Sequence, residues 1–470
     1  MWITLYALGY FLLEVTAIWF AYRAVARART PQGSIAWILF LILTPVLAVP
    51  AFLVLGHFNY PGYVIARRDS AEAIAEMDVI GRHCPAKGDG GPFGLSAFEG
   101  LARLPVVSGN TIDLLIDGET ILDALCRGID AAESYVLSQF YILRDDETGR
   151  IFADSLKAAV TRGVSVRLLY DSVGCAGLSQ RYLDDLKAGG VEVVDANRIY
   201  GPKNRLQMNF RNHRKSVIVD GREAYTGGMN IGDEYRGLVA KYGDWRDTFC
   251  RLRGPAVQQL QLVFLEDWHW ATKTRPSGGL NWEVSPTEGA ADALVLASGP
   301  GDPMETGSLY FCACITRARK RLWIASPYFV PDIDILSALK IAALRGVDVR
   351  ILVPEIIDHK VTWLAAFAYF DEVRAAGVQI WRYTPGFLHQ KIVLVDDELA
   401  SIGTTNMDNR SCRLNFEQTV LVFDKAVAAE VARMLEDDFT RAYLLETDLS
   451  GQPWSRRVGA PFARLLAPIL

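Results

Sequence analysis

Asn212 to Asp220 reads NHRKSVIVD, and the same order of chemistry returns at His389 as HQKIVLVDD. Both copies fit the pattern HxKxxxxD. His213 and Lys215, like His389 and Lys391, lie two apart, so in an extended chain each pair shares one face. The apolar run that follows (SVIV, IVLV) is the β-branched kind that forms a buried strand. Each strand leads to a glycine-containing turn closed by an asparagine, GGMN at Asn230 and GTTN at Asn406. Glycine lets backbone approach a ligand, and the amide side chain adds a donor and an acceptor. Two imidazoles, two ammoniums and two amides in the same register point to one site that grips a phosphate from both sides. A lone His–Lys pair is common by chance: His359 and Lys360 have no Asp or glycine turn after them and read as structural.

The surroundings of the motif repeat with it. AAESYVLSQFYI, FADSLKAAVTRG and VSVRLLYD in the first part answer to ARKRLWIASPYFV, DILSALKIAALRG and VDVRILVP in the second, and YLDDLKAGGVEVV answers to YFDEVRAAGVQIW. Apolar strands alternating with amphipathic helices indicate an α/β fold with a parallel or mixed sheet, and repetition in register indicates internal duplication. The expectation is two α/β halves packed face to face around one shared site. The divisions are a membrane leader over 1–58, a connector over 59–104, a first half over 105–272, a linker over 273–290 and a second half over 291–470. The helix-like VQQLQLVFLEDWHWAT closes the first half, and His269 within it reads as a packing residue.

Half of the 470 residues are hydrophobic, and the net charge of -5 counts against a protein that coats a polyanion such as DNA. The seven cysteines are odd in number and scattered without zinc-type spacing, which reads as free thiols rather than a disulfide framework. Trp2 to Tyr22 and Ile35 to Gly56 are apolar and each near the ~20 residues that cross hydrocarbon, so two membrane helices are expected. The first lacks the basic start of a signal peptide. Glu14 would cost about 2.5–3.5 kcal/mol at mid-membrane, which places it against the partner helix. Arg23, Arg27 and Arg29 between the two segments, against Arg67 and Arg68 after them, would put the following body outside by the positive-inside rule, whereas the unpaired cysteines favour the cytoplasm. In the connector, AEAIAEM reads as a helix and CPAKGDGGPFG as a breaker.

FRNHRKSVIVDG, GGMNIGDEY, WRDTFCRLRGPAV, PYFVPD, PGFLHQK and IGTTNMDNRSCRLNFE resemble the bacterial cardiolipin synthases of the phospholipase D superfamily, and TPQGSIAWILFLILTPVLA is similar to that family's membrane leader. The resemblance implies two phospholipase D-like halves, no cofactor or metal, and phosphatidylglycerol as substrate. One phosphatidylglycerol gives its phosphatidyl group to a histidine and the hydroxyl of another takes it to make cardiolipin, at the bacterial inner membrane with no nucleic acid partner.

Chemically, Lys215 and Lys391 would neutralise the phosphate oxygens, with Asn230 and Asn406 as further donors. One imidazole attacks phosphorus while the other protonates the leaving alcohol and later serves as base. The residues are symmetric on this point; the resemblance makes His213 the nucleophile and His389 the acid and base. Each ring needs an acceptor on its other nitrogen, and Asp247 and Glu417, downstream of the two motifs at comparable distances, are the candidates, in agreement with the family pattern. Asp220 and Asp396 complete the motifs and are counted with the catalytic set, although they read more as residues that fix the turn than as chemical participants. Arg211, Arg214 and Arg410 would bind lipid phosphate or hold the fold, and the apolar VTWLAAFAYFDEV would line acyl entry or pack in the core. A hydrolytic phospholipase D and a nuclease of the same superfamily are the rival readings.

Overall fold

The computed structural model describes residues 2–26, 31–56, 71–88, 94–196, 209–274, 279–285 and 287–470. Arg27, Arg29, Arg67 and Arg68, on which membrane orientation was to be judged, lie outside them, as do parts of the connector and the linker.

In the first half, strands Tyr135–Phe140, Ser165–Tyr170 and Glu192–Asp195 run parallel, with helices Glu147–Thr161 and Gln180–Ala188 between them. The first of these strands then pairs antiparallel with Ser216–Val219, and the sheet continues through Glu223–Gly227 and Thr248–Arg253 to Val107–Ile116. The second half repeats the order. Arg321–Ala325, Asp348–Pro354 and Gln379–Tyr383 are parallel, and Ile392–Val395, Leu399–Gly403, Asn415–Phe423 and Ala291–Ser298 follow antiparallel. The expected duplication is therefore present strand for strand. Parallel neighbours need a crossover helix and antiparallel ones only a turn, which is why the repeated strand–helix segments sit on the outer sides and the histidine strands sit inward.

The halves join where Val107–Ile116 pairs with Ala291–Ser298, making one continuous sheet. The sheet also folds over, so that Leu399–Gly403 lies against Glu223–Gly227 and Thr248–Arg253. Val217, Ile218, Leu394 and Val395 of the histidine strands are fully buried, as the apolar runs require.

The connector is part of the body. Met77, Ile80, Phe98 and Ala102 are buried in its core, and the backbone N–H groups of Lys87 and Gly88 donate to the Asp292 carboxylate.

At the N-terminus, Trp2–Ala26 is the one helix among the described residues long and apolar enough to cross a membrane. The second expected span is instead two helices, Pro31–Leu43 and Pro45–Leu55. Pro45 has no N–H to continue the ladder, and Thr44 leaves helical geometry ahead of it. A small cluster of Ala17, Phe20, Leu41, Ala48 and Phe52 packs the three helices together. Glu14 is exposed instead of facing that cluster. All seven cysteines are free thiols.

Candidate active site

The two histidine motifs are brought together by short strands that cross between the halves. Arg211–Asn212 pairs parallel with Asn415–Phe416 of the second half, and the His213 N–H donates to the Phe416 carbonyl at 2.9 Å. Gly386–Leu388 pairs in the same way with Asp244–Arg246 of the first half, and the His389 N–H donates to the Arg246 carbonyl at 2.8 Å. Each histidine is thereby set beside the carboxylate that follows the strand it pairs with. His213 Nδ1 lies 2.9 Å from Glu417 Oε2, and His389 Nδ1 lies 2.7 Å from Asp247 Oδ2. The carboxylate expected to orient each ring thus comes from the opposite half. With Nδ1 bound to an anion, Nδ1 carries the proton and Nε2 is the ring atom left for chemistry.

The carboxylates are themselves fixed. Glu417 accepts from the Thr404 hydroxyl at 2.6 Å and from Asn415 Nδ2 at 3.1 Å. Asp247 accepts from the Thr248 N–H at 2.9 Å and from Trp245 Nε1 at 3.4 Å. Burial opposes ionisation of both, yet the histidines and lysines around them outweigh it and hold both below the usual carboxylate range. Burial pushes His213 down to about 4 and His389 down to about 3, against the pull of Glu417 and Asp247. At neutral pH the two pairs are neutral imidazoles hydrogen-bonded to ionised carboxylates.

Lys215 and Lys391 are buried beside them, and each ammonium turns back to donate to the carbonyl of its own motif histidine, Lys215 Nζ to His213 O at 2.5 Å and Lys391 Nζ to His389 O. Burial lowers Lys215 to about 7 and Lys391 to about 8, and the field of Lys391 lowers Lys215 further. An anion entering the site would offset both effects.

The remaining candidates divide. Asn230 and Asn406 are buried. The Asn230 amide accepts from the Ile142 N–H at 3.0 Å and donates to the Tyr235 hydroxyl at 3.1 Å, so it is partly committed to the protein. Asn406 Oδ1 has no hydrogen-bond partner among the described residues.

Asp220 and Asp396 do not join the site. The Asp220 carboxylate accepts from the N–H groups of Glu133, Ser134 and Tyr135 at 2.7–2.9 Å, and Asp396 does the same for Arg319, Lys320 and Arg321. Both have φ of 52°, a left-handed turn conformation that Asp tolerates. A strand rises ~3.3 Å per residue, so each lies on the order of 20 Å along the chain from its histidine. Their inclusion among catalytic residues is corrected: they tie the end of one strand to the start of its neighbour.

Arg214 is also structural, since its buried guanidinium pairs with Asp267 at 2.6 Å and donates to the Glu417 and Ser298 carbonyls. Arg410 holds Asn209 and the chain end, with Nη2 donating to Asn209 O at 2.7 Å. Arg211 is half-buried, with Nη1 on the Phe210 carbonyl. His359 is exposed, and His269 is half-buried on the helix Ala256–Thr272.

Two aromatic residues at the site were not singled out from the sequence. The Tyr141 ring lies 4.9 Å from that of His213 and 5.4 Å from Lys215 Nζ, and the Trp245 ring lies 5.2 Å from that of His389. Trp245 stands two residues before Asp247 in WRDTFCRLRGPAV, whereas Tyr141, which falls opposite Pro327 in the register of the repeat, had no signal of its own.

The sequence profile described as "Cardiolipin synthase, PLD-like domain" matches residues 125–268 and 311–439, one segment in each half. Cardiolipin synthase A of Pseudomonas fluorescens is 43% identical over 96% of this chain and 95% of its own length. That of Pseudomonas aeruginosa is 42% identical over 98% and 96%. Among solved structures, a phosphatidylserine synthase from Haemophilus influenzae superposes with a TM-score of 0.62 at 16% identity, covering 80% of this chain and 99% of that one. A polyphosphate kinase from Porphyromonas gingivalis gives 0.51 at 14% identity over 78% and 53%. At these identities the two structures speak for the fold alone. The relatives align almost end to end and the profile matches a segment carrying each histidine motif, so the chain belongs to the cardiolipin synthase family of phospholipase D-like proteins.

Proposed function

We propose that the protein is a cardiolipin synthase, a phosphatidyltransferase that joins two phosphatidylglycerols into cardiolipin and releases glycerol. The observation that carries this reading is the pair of crossed His–carboxylate contacts, each beside a buried lysine, in a chain whose relatives of nearly equal length bear that name. Lys215 and Lys391 bind the anionic oxygens of the phosphodiester, and the amide of Asn406 donates to it. The phosphate charge raises the histidines from their low values, which allows one to carry a proton. His213 Nε2 attacks phosphorus while His389 gives its Nε2 proton to the departing glycerol oxygen. The P–N bond forms as the P–O bond breaks, giving a phosphohistidine. His389, now neutral, takes the proton from the glycerol hydroxyl of a second phosphatidylglycerol, whose oxygen displaces His213 and restores it. No metal or cofactor enters these steps.

The enzyme works at a membrane, where both substrates reside and where Trp2–Ala26 anchors it. We place it in the bacterial inner membrane as a multi-pass protein, with Pro31–Leu55 as the second passage and the catalytic body on the cytoplasmic side. The seven free cysteines support that side.

The test is a product assay on purified full-length protein with labelled phosphatidylglycerol in vesicles, beside His213→Ala and His389→Ala. Cardiolipin with free glycerol, lost in both variants, supports the proposal. Phosphatidic acid as the main product would make the protein a hydrolase, and absence of lipid turnover would overturn the lipid reading.

A further inference from the structure

The last helix, Trp454–Arg464, has an apolar face that nothing among the described residues covers. Its inner side packs on the helix Lys360–Arg374, with Ala460 and Ala463 buried. Arg456 stacks over Trp363 at 4.6 Å and Arg464 over Tyr369 at 4.2 Å, so the apolar VTWLAAFAYFDEV stretch is packed by this helix. The outer side shows Trp454, Val458, Phe462 and Leu465, and the stripe runs on to Ile469. Trp454, Phe462 and Leu465 are 75%, 69% and 74% exposed. The spacing of four, four and three residues keeps these side chains on one face. From Leu449 to Leu470 the chain has three arginines and no acidic side chain, in a protein of net charge -5. Arg457 stands exposed beside the stripe.

The position of this stripe matters as much as its composition. The Arg410 N–H donates to the Leu470 carbonyl at 2.7 Å, and Arg410 Nη1 donates to Ile469 O at 3.1 Å, while Nη2 reaches Asn209 O. Arg410 lies four residues after Asn406, and Asn209 four before His213. The end of the stripe is thus fastened to both chain segments that carry the site.

We propose that Trp454–Ile469 is an interfacial segment that lays this stripe into the surface of an anionic phospholipid bilayer and holds the cleft between the two histidine motifs at headgroup depth. A tryptophan at one end, apolar side chains along one face and the exposed Arg457 beside them are the chemistry of such a segment, while Arg464 is paired with Glu372 at 3.0 Å. The proposal rests on the lipid-substrate reading only for the benefit it brings to turnover; binding itself is independent of catalysis.

The experiment therefore has two arms on the full-length protein in phosphatidylglycerol nanodiscs. In the first, a photoreactive benzoylphenylalanine replaces Phe462, with Asp154 on the first half as the control position. Lipid adducts from position 462 and not from 154 support the proposal. A protein–protein adduct would assign the stripe to a second copy of the chain, and no adduct would leave the stripe in water; either overturns it. In the second arm, Phe462→Glu with Leu465→Glu lowers turnover of vesicle phosphatidylglycerol by about tenfold or more and leaves turnover of a monomeric short-chain phosphatidylglycerol unchanged. An equal fall on both substrates, in a variant with the melting temperature of the unaltered protein, would overturn the proposal, because the stripe would then serve the body and not contact with the bilayer. If the unaltered protein turns over no lipid, the functional reading fails and the first arm still decides this one.

Discussion

The imidazole of His213 is held by Glu417, 204 residues further along the chain and in the other half of the duplication, at 2.9 Å from Nδ1 to Oε2. His389 is held by Asp247 in the reverse sense at 2.7 Å. Neither half therefore contains a complete histidine–carboxylate pair, and a single half would need a second copy to make the same contacts.

The crossing can be read kinetically. Glu417→Gln keeps a hydrogen-bond acceptor near His213 and removes the charge, and Asp247→Asn does the same for His389. Each lowers kcat by about 10²–10⁴-fold on phosphatidylglycerol. With p-nitrophenol as the leaving group no acid is needed, so release of nitrophenol recovers in Asp247→Asn, as in His389→Ala. It stays low in Glu417→Gln, as in His213→Ala. Pairing within each half would exchange the two results.

The buried lysines give two trends of opposite sign with pH. Their folded values, about 7 for Lys215 and about 8 for Lys391, lie below the ordinary 10.5. The unfolded chain therefore holds more protons than the folded one between these limits, and the ligand-free protein gains stability as pH rises from about 7 toward 10.5. An oxyanion requires the charged form, so the increase in Tm produced by sulfate, whose own charge is constant over this range, shrinks as pH passes from 7 through 8. Thermal melts with and without sulfate at pH 6.5, 7.5 and 9 measure both. A sulfate effect that persists unchanged at pH 9 would remove the lysines from anion binding.

Asp220 and Asp396 should separate stability from chemistry. Asp220→Ala leaves three backbone N–H groups without their acceptor and puts Ala in a left-handed conformation, at a cost of about 2–5 kcal/mol. Asp220→Asn keeps one acceptor oxygen and the backbone preference, and it loses less. Denaturant melts should show that order, with kcat per folded molecule within a few-fold of the unaltered protein for both. A loss of kcat in a stable Asp220→Asn would return this residue to the catalytic set.

Much of this was open to reading in the sequence because duplication doubles every signal. Strand order, helix placement and the His, Lys, Asn and acidic positions all appear twice in register. The crossing of Asp247 and Glu417 was not open to reading, because closeness along the chain favours the other pairing: Asp247 follows His213 by 34 residues and Glu417 follows His389 by 28, whereas the crossed partners are 204 and 142 residues apart. It follows from the parallel pairing of Arg211–Asn212 with Asn415–Phe416 and of Gly386–Leu388 with Asp244–Arg246, short strands with no pattern of their own. The break in the second apolar segment was missed differently: hydropathy is continuous across Thr44, and the helix is divided by the one missing N–H of Pro45. The motif aspartates show the converse, since a residue repeated beside catalytic ones was drawn into the site by company when its carboxylate serves backbone.

The glycine of the first turn supplies the sharpest local test. Glycine in GGMN was expected to let backbone approach a ligand, and at Gly228 the neighbour is protein: a Cβ there would stand 2.1 Å from Asp247 Oδ1 and 3.1 Å from the His389 carbonyl. Gly228→Ala must displace Asp247, which is fully buried, and with it the orientation of His389. The corresponding residue in the second turn is Thr404, whose hydroxyl instead donates to Glu417, so the two turns meet one need by different means. Gly228→Ala should therefore lower kcat on phosphatidylglycerol by about 10²-fold or more, by the same route as Asp247→Asn, and recover with the nitrophenol leaving group. Gly100→Ala is the control: this glycine lies in the helix Ser96–Ala102 with nothing within 4 Å of the added carbon. That change should leave kcat alone and raise stability by about 0.5–1 kcal/mol. Full activity in Gly228→Ala would mean that Asp247 has room to move without releasing His389, and the carboxylate would then hold the fold rather than the ring.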